Sequence, residues 1–111
     1  MATIVKSTTG VNEYAEITET ELTGADDFVL TSGNLFIKNG SGAGQTIEIH
    51  GDGSTGTKKC DGGGLTDLSQ PVSVTLADGE LWSISIQSVR DFLQGTISVT
   101  GGASGVVAYI V

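Results

Sequence analysis

Cysteine is nearly missing from this chain. Cys60 is the only thiol among 111 residues, so no intrachain disulfide can form and the fold must rest on its core. Proline occurs once, at Pro71, and histidine once, at His50. Cations are scarce: five Lys and Arg stand against thirteen Asp and Glu, for a net charge of −8. Affinity for nucleic acid comes mainly from basic side chains that release counterions from phosphates. Five scattered cations cannot supply that, so direct binding of DNA or RNA is not expected. Long apolar runs are also lacking. None approaches the ~20 residues of a membrane helix, and Met1–Lys6 has no signal-peptide core. The expectation is synthesis in a reducing cytosol and no membrane partner.

What is present is glycine, seventeen of it, together with short stretches in which apolar and small polar residues alternate. Such alternation marks half-buried strands. The C-terminal third shows it best, in Val72–Leu76, Leu81–Gln87 and Gly95–Thr100, and it closes on Val106–Val111, a strand that is apolar on both faces. Upstream, Phe28–Leu30, Leu35–Asn39 and Gln45–His50 read as strands, with Gly24–Asp27 as a turn. Tyr14–Leu22 alternates with glutamates, as an edge strand guarded by charge would. Asp78-Gly79 is a hairpin signal, predicting that 72–76 folds back on 81–87. Gly101–Gly105 predicts a second hairpin. Ser88–Leu93 is either one helical turn or a crossing between sheets.

About eight strands in one domain follow: an all-β antiparallel sandwich of jelly-roll-like or immunoglobulin-like topology. Residues 13–111 form the domain and residues 1–12 a short N-terminal arm, frayed or ordered against a neighbouring subunit. Trp82 is expected in the core, where truncation to Ala would cost ~3–5 kcal/mol. Gly51–Gly64 reads as a fourteen-residue loop without structure of its own, which is uncommon in compact domains.

Reactive chemistry has little to rest on. A nucleophile needs an adjacent base, and a flexible glycine loop separates His50 from Cys60 in sequence. Zinc needs about four nitrogen or sulfur ligands. His50, Asp52, Cys60 and Asp61 are suitable types without a ligand spacing. Nothing singles out a catalytic pair among Glu13, Glu16, Glu19 and Glu21. Gly51–Gly56 follows a strand but opens no helix that could receive a phosphate. The expectation is a non-enzymatic protein with no cofactor and no metal.

Three pieces, taken together, resemble a known group. They are Leu35–Ala43 followed by Ile47-Glu48-Ile49, then Val72–Glu80 with its aromatic-bearing return strand, then Arg90-Asp91-Phe92 leading through Gly95–Thr100 to the Val-rich terminal strand. In order and spacing these are similar to the small all-β virion proteins of tailed bacteriophages, most of all those that decorate or cement the head. The resemblance covers roughly residues 34–111, and the Gly51–Gly64 loop departs from it. It implies a structural protein on the capsid exterior, bound to the major capsid protein, often as a homotrimer. Candidate shell or subunit contacts are Ile4, Val5, Lys6, Phe36, Lys58, Lys59, Arg90 and Tyr109. The alternative is a tail, fibre or baseplate module that binds a host glycan or another virion protein. A sugar platform would need exposed Tyr14, Phe36 or Tyr109.

Overall fold

The computed structural model describes residues 2–7, 17–59 and 65–111. Ten strands are present among them: β1 (Thr20–Glu21), β2 (Gly24–Phe28), β3 (Asn34–Asn39), β4 (Gln45–Gly51), β5 (Thr57–Lys59), β6 (Leu65–Asp67), β7 (Val72–Leu76), β8 (Leu81–Ser85), β9 (Ile97–Gly101) and β10 (Val106–Ile110). A 3₁₀ segment, Ile86–Phe92, follows β8. Two four-stranded antiparallel sheets pack face to face. Sheet I has the order β1-β10-β3-β8 and sheet II the order β2-β9-β4-β7. With the small β5–β6 hairpin set aside, the first strand pairs with the last, the second with the second-last, and so inward. That is the jelly-roll arrangement; an immunoglobulin sandwich divides its strands differently.

The strands carry the alternation that the sequence displays. In β3 the buried positions are Leu35, Ile37 and Asn39; in β10 they are Val106, Ala108 and Ile110. Sheet II answers with Phe28, Ile47, Ile49, Leu76, Ile97 and Val99, and the links add Leu22, Ile86 and Leu93. Each buried Val, Leu, Ile or Phe among them contributes about 1.5–3 kcal/mol relative to exposure. This core is what offsets the ordering entropy of the short strands.

Partner choice is where the structure departs from expectation. Asp78-Gly79 does not close a hairpin: β7 pairs with β4 in sheet II, and β8 with β3 in sheet I. The turn at Gly101–Gly105 likewise carries the chain from β9 in sheet II to β10 in sheet I. The links from β2 to β3 and from β3 to β4 cross between sheets as well. Alternation tells which side of a strand meets the core, but not which strand lies beside it. The link Ala77–Glu80 is long enough to span the ~10 Å between stacked sheets. Gly79 still takes a positive φ of 86° there, so the residue type suits the turn although the turn joins layers. The 3₁₀ segment is both a helical turn and a crossing, since it connects β8 to β9.

Three further boundaries move. Gly24–Asp27, expected as a turn, belongs to β2, and Val29 and Leu30, expected in a strand, lie outside it with 79% and 41% exposure. Asp26 takes an inward position in β2 because its oxygens are satisfied there by Thr23 and Ala2. The Tyr14–Leu22 strand is reduced among the described residues to β1, at an edge of sheet I; residues 8–16 lie outside the description. The Gly51–Gly64 loop has structure of its own within its described part, residues 51–59. Gly51 ends β4, and Asp52–Ser54 is pinned to Gln94–Thr96 by Gly53 N–H to the Gln94 carbonyl (2.9 Å) and Thr96 N–H to Asp52 Oδ1 (2.8 Å). Its later part pairs as β5 with β6. Residues 60–64, Cys60 included, lie outside the described residues.

The N-terminal segment is also placed. Residues 2–7 run from the free edge of β2 to the end of β10. Ile4 N–H donates to the Asp27 carbonyl (2.8 Å), Asp27 N–H to the Ala2 carbonyl (3.0 Å), and Ser7 N–H to the Ile110 carbonyl (2.8 Å). Ile4 enters the core at 2% exposure. This strap closes the side of the sandwich where β1 and β2 are the outer strands. It orders on its own subunit.

Trp82 faces inward beside Ile37, as expected, but at less depth. It is half-buried on β8, an outer strand, and packs against the core without being enclosed by it.

Candidate interaction surface

The outer faces of the two sheets differ in chemistry. On sheet II the outward positions are Ala25 and Asp27 of β2, Ser98 and Thr100 of β9, Thr46, Glu48 and His50 of β4, and Ser73 and Thr75 of β7. Hydroxyls and charges dominate, and the Thr46 and Thr75 hydroxyls share a hydrogen bond of 3.0 Å. On sheet I the outward positions of the three long strands are Asn34, Phe36 and Lys38, then Val107 and Tyr109, then Leu81, Ser83 and Ser85. Phe36 and Tyr109 are cross-strand neighbours whose rings stack at 5.0 Å between centroids and 8° between planes. Val107 stands between Glu21 and Lys38 in register, and Leu81, 56% exposed, follows Lys38. Sheet I thus presents an aromatic and aliphatic strip with one ammonium in it.

Two of the contact candidates, Phe36 and Tyr109, are brought together by this geometry. Lys6 bridges to Ile110, next in sequence to Tyr109, and its Nζ donates to the Ser32 hydroxyl at 2.9 Å. Val5 is 47% exposed on the strap. Ile4 is enclosed in its own core and is not a surface group. Arg90 is exposed on the 3₁₀ segment, away from the strip in sequence, with its carbonyl accepting from Leu93 N–H (3.0 Å) and Gln94 Nε2 (2.6 Å). Lys58 and Lys59 stand in β5, and contacts by their side chains lie outside the description. Val107, Leu81 and Lys38 were missed by sequence reasoning. The double-sided apolar character of Val106–Val111 was the signal for Val107; Leu81 gave none until its strand partner was known.

One row on sheet II has the ingredients of nucleophilic chemistry. Ser98 is flanked in register by Asp27 and His50. The groups are committed elsewhere, however. The His50 Nε2 lies 2.8 Å from the Leu68 carbonyl, the Ser98 hydroxyl donates to the His50 carbonyl (3.3 Å), and Asp27 Oδ1 accepts from the Thr3 hydroxyl (2.6 Å). The imidazole lacks the bond to the hydroxyl that would make it a base toward serine. No group of three or more potential metal ligands occurs among the described residues.

Two carboxyls have displaced titrations. Burial pushes Asp26 up, but the Thr23 N–H, the Thr23 hydroxyl and the Ala2 N–H together outweigh it and hold the group below its ordinary value. Asp67 is also held down, by the Ser69 hydroxyl and the Ser69 N–H. Both are structural anchors: Asp26 ties down the strap and Asp67 the turn after β6.

Compared with protein families, with curated proteins and with solved structures, the chain matches none.

Proposed function

We propose that this protein is a structural component of a tailed-phage virion that binds the outer surface of the capsid and reinforces the assembled head, as a homotrimer on the major capsid protein. The reading rests on the sequence resemblance and on one observation, the contrast between the two outer faces. A single soluble subunit has no need to keep Phe36, Tyr109, Val107 and Leu81 on one sheet while the other sheet carries hydroxyls and acids. Apolar patches bordered by polar groups mark contact surfaces. The jelly roll also hosts viral capsid and lectin domains, which makes the reading compatible with the fold without deciding it. The net charge of −8 keeps the free protein soluble and away from nucleic acid before assembly. A trimer would engage the shell at three points, so weak single contacts add up.

The test is addition of purified protein to undecorated, expanded heads. Saturable binding and a higher head-disruption temperature are expected, with both reduced in Phe36→Ala and Leu81→Ser. A specific contact should bury at least ~1,000 Å² in total. Absence of saturable binding ends this reading. Glycan binding is the second reading, because Phe36 and Tyr109 do lie on an outward face. Each ring spends one face on the other, which leaves less for a sugar. Specific hits on a glycan array, lost in Tyr109→Ala, would favour it.

A further inference from the structure

The two open sides of the sandwich are treated differently. Where β1 and β2 are outermost, residues 2–7 enter between the sheets and Ile4 is 2% exposed. Where β7 and β8 are outermost, no described segment does the same. The inward side chains there, Val72, Val74, Trp82 and Ile84, together with Val89, pack on the core but remain half-exposed. The backbone of β8 is open too. Asn39 N–H donates to the Glu80 carbonyl (2.9 Å) and Ile86 N–H to the Gly33 carbonyl (3.0 Å), which sets the phase of the β3–β8 ladder. In an antiparallel pair the bonded residues alternate. Glu80, Trp82, Ile84 and Ile86 therefore turn their backbone groups toward β3, and Leu81, Ser83 and Ser85 turn theirs away. The Ser85 carbonyl accepts from the Ser88 hydroxyl (2.7 Å). The N–H groups of all three, and the carbonyls of Leu81 and Ser83, have no partner among the described residues.

The outer strands on the opposite side carry a guard: β1 has two residues, one of them Glu21, and β2 is capped by the strap. β8 has none of the devices that keep exposed edges from pairing, since no charge or proline occurs from Leu81 to Val89.

We infer that the free edge of β8 is a docking site for an extended segment of a partner protein, which adds an antiparallel strand and sinks apolar side chains between β7 and β8. The chain's own strap does a comparable thing on the opposite side, pairing there in the parallel sense and sinking Ile4 into the core. The partner segment is uncharged and alternating through its middle. In antiparallel pairing its C-terminal end lies beside Asp78 and Glu80 and its N-terminal end toward Arg90, so it is basic at the first end and acidic at the second. A second copy of this chain fits less well. In a second copy the inward side chains of β8, Trp82 and Ile84, are already packed on their own core, so that strand has none to sink between β7 and β8, and each copy brings a net charge of −8. The inference goes beyond the capsid reading and stands or falls without it: it concerns the β8 edge, whereas that reading concerns the outer face of sheet I.

The experiment is amide hydrogen exchange on the full chain with a blocked probe peptide, Asp-Thr-Val-Thr-Val-Thr-Lys, at millimolar concentration. The N–H groups of Leu81, Ser83 and Ser85 should exchange freely alone and slow at least about tenfold with the peptide. The same peptide with Asp and Lys interchanged should protect them less. Ser83→Pro removes an outward N–H without breaking a bond to β3, so it should abolish the protection while leaving the melting temperature nearly unchanged. Should that variant not fold, Ser83→Lys places a blocking charge on the edge and should act alike. The inference is overturned if the three amides exchange as fast with peptide as without it, or if both peptides protect equally. It is also overturned if the amides are already protected without peptide in proportion to protein concentration, which would make the occupant a second copy.

Discussion

The side-chain amide of Asn39 donates to the carbonyl of Leu76 at 2.9 Å, joining β3 of one sheet to β7 of the other across 37 residues. The same amide donates to the Ala43 carbonyl (2.7 Å), and its oxygen accepts from the N–H (3.0 Å) and hydroxyl (2.7 Å) of Ser41. Asn39 is fully buried, so all of this replaces water. An aspartate has the shape but cannot donate to two carbonyls. Asn39→Asp and Asn39→Leu should each lower stability by about 3 kcal/mol or more, because a buried group left unpaired costs roughly 1–3 kcal/mol. Urea denaturation measures it, and a loss below about 1 kcal/mol would mean that the network is replaceable by water.

Asp26 makes stability depend on acid. Its carboxyl is held below the ordinary value in the folded protein, so the unfolded chain binds the proton more readily. Its contribution is complete above the unfolded value of about 3.9 and drains away as pH falls through the lower folded value. Asp26→Asn should weaken the protein at neutral pH and flatten the acid limb of its stability curve. Parallel slopes for the two proteins would refute the assignment.

Ile4→Ala should cost about 2 kcal/mol by emptying a core position and should speed exchange at the Asp27 N–H, which the strap caps. If only global stability changed, with no local opening at Asp27, the strap would not be a separable element.

Trp82→Ala should cost about 1–3 kcal/mol, below the ~3–5 kcal/mol of an enclosed aromatic, because the side chain is only half-buried. Its fluorescence should lie between that of a buried and a free indole. Total loss of folding would return Trp82 to the centre of the core.

Phe36 and Tyr109 should show a coupling of about 0.5–1.5 kcal/mol in a double-mutant cycle on stability. A value near zero would leave the pair free to act independently in binding.

Much was legible without coordinates, for a local reason. Ile47 and Ile49, or Val106, Ala108 and Ile110, announce a face because side chains alternate along a strand whatever lies beside it. Short alternating stretches joined by glycine-rich turns likewise led to a packed all-β sandwich. The strand boundaries failed where a polar residue found a partner at long range: Asp26 is read as a turn former until Ala2, 24 residues away, is brought to it.

What only the tertiary structure decided is who pairs with whom. Asp78-Gly79 looks the same whether it bends a chain within a sheet or carries it between sheets, because turn chemistry constrains φ and not the destination. The jelly-roll order, the strap over β2, the Phe36–Tyr109 stack and the unguarded edge of β8 all depend on contacts between residues far apart in sequence. Such contacts are selected by the collective burial of one core, and no local pattern encodes them.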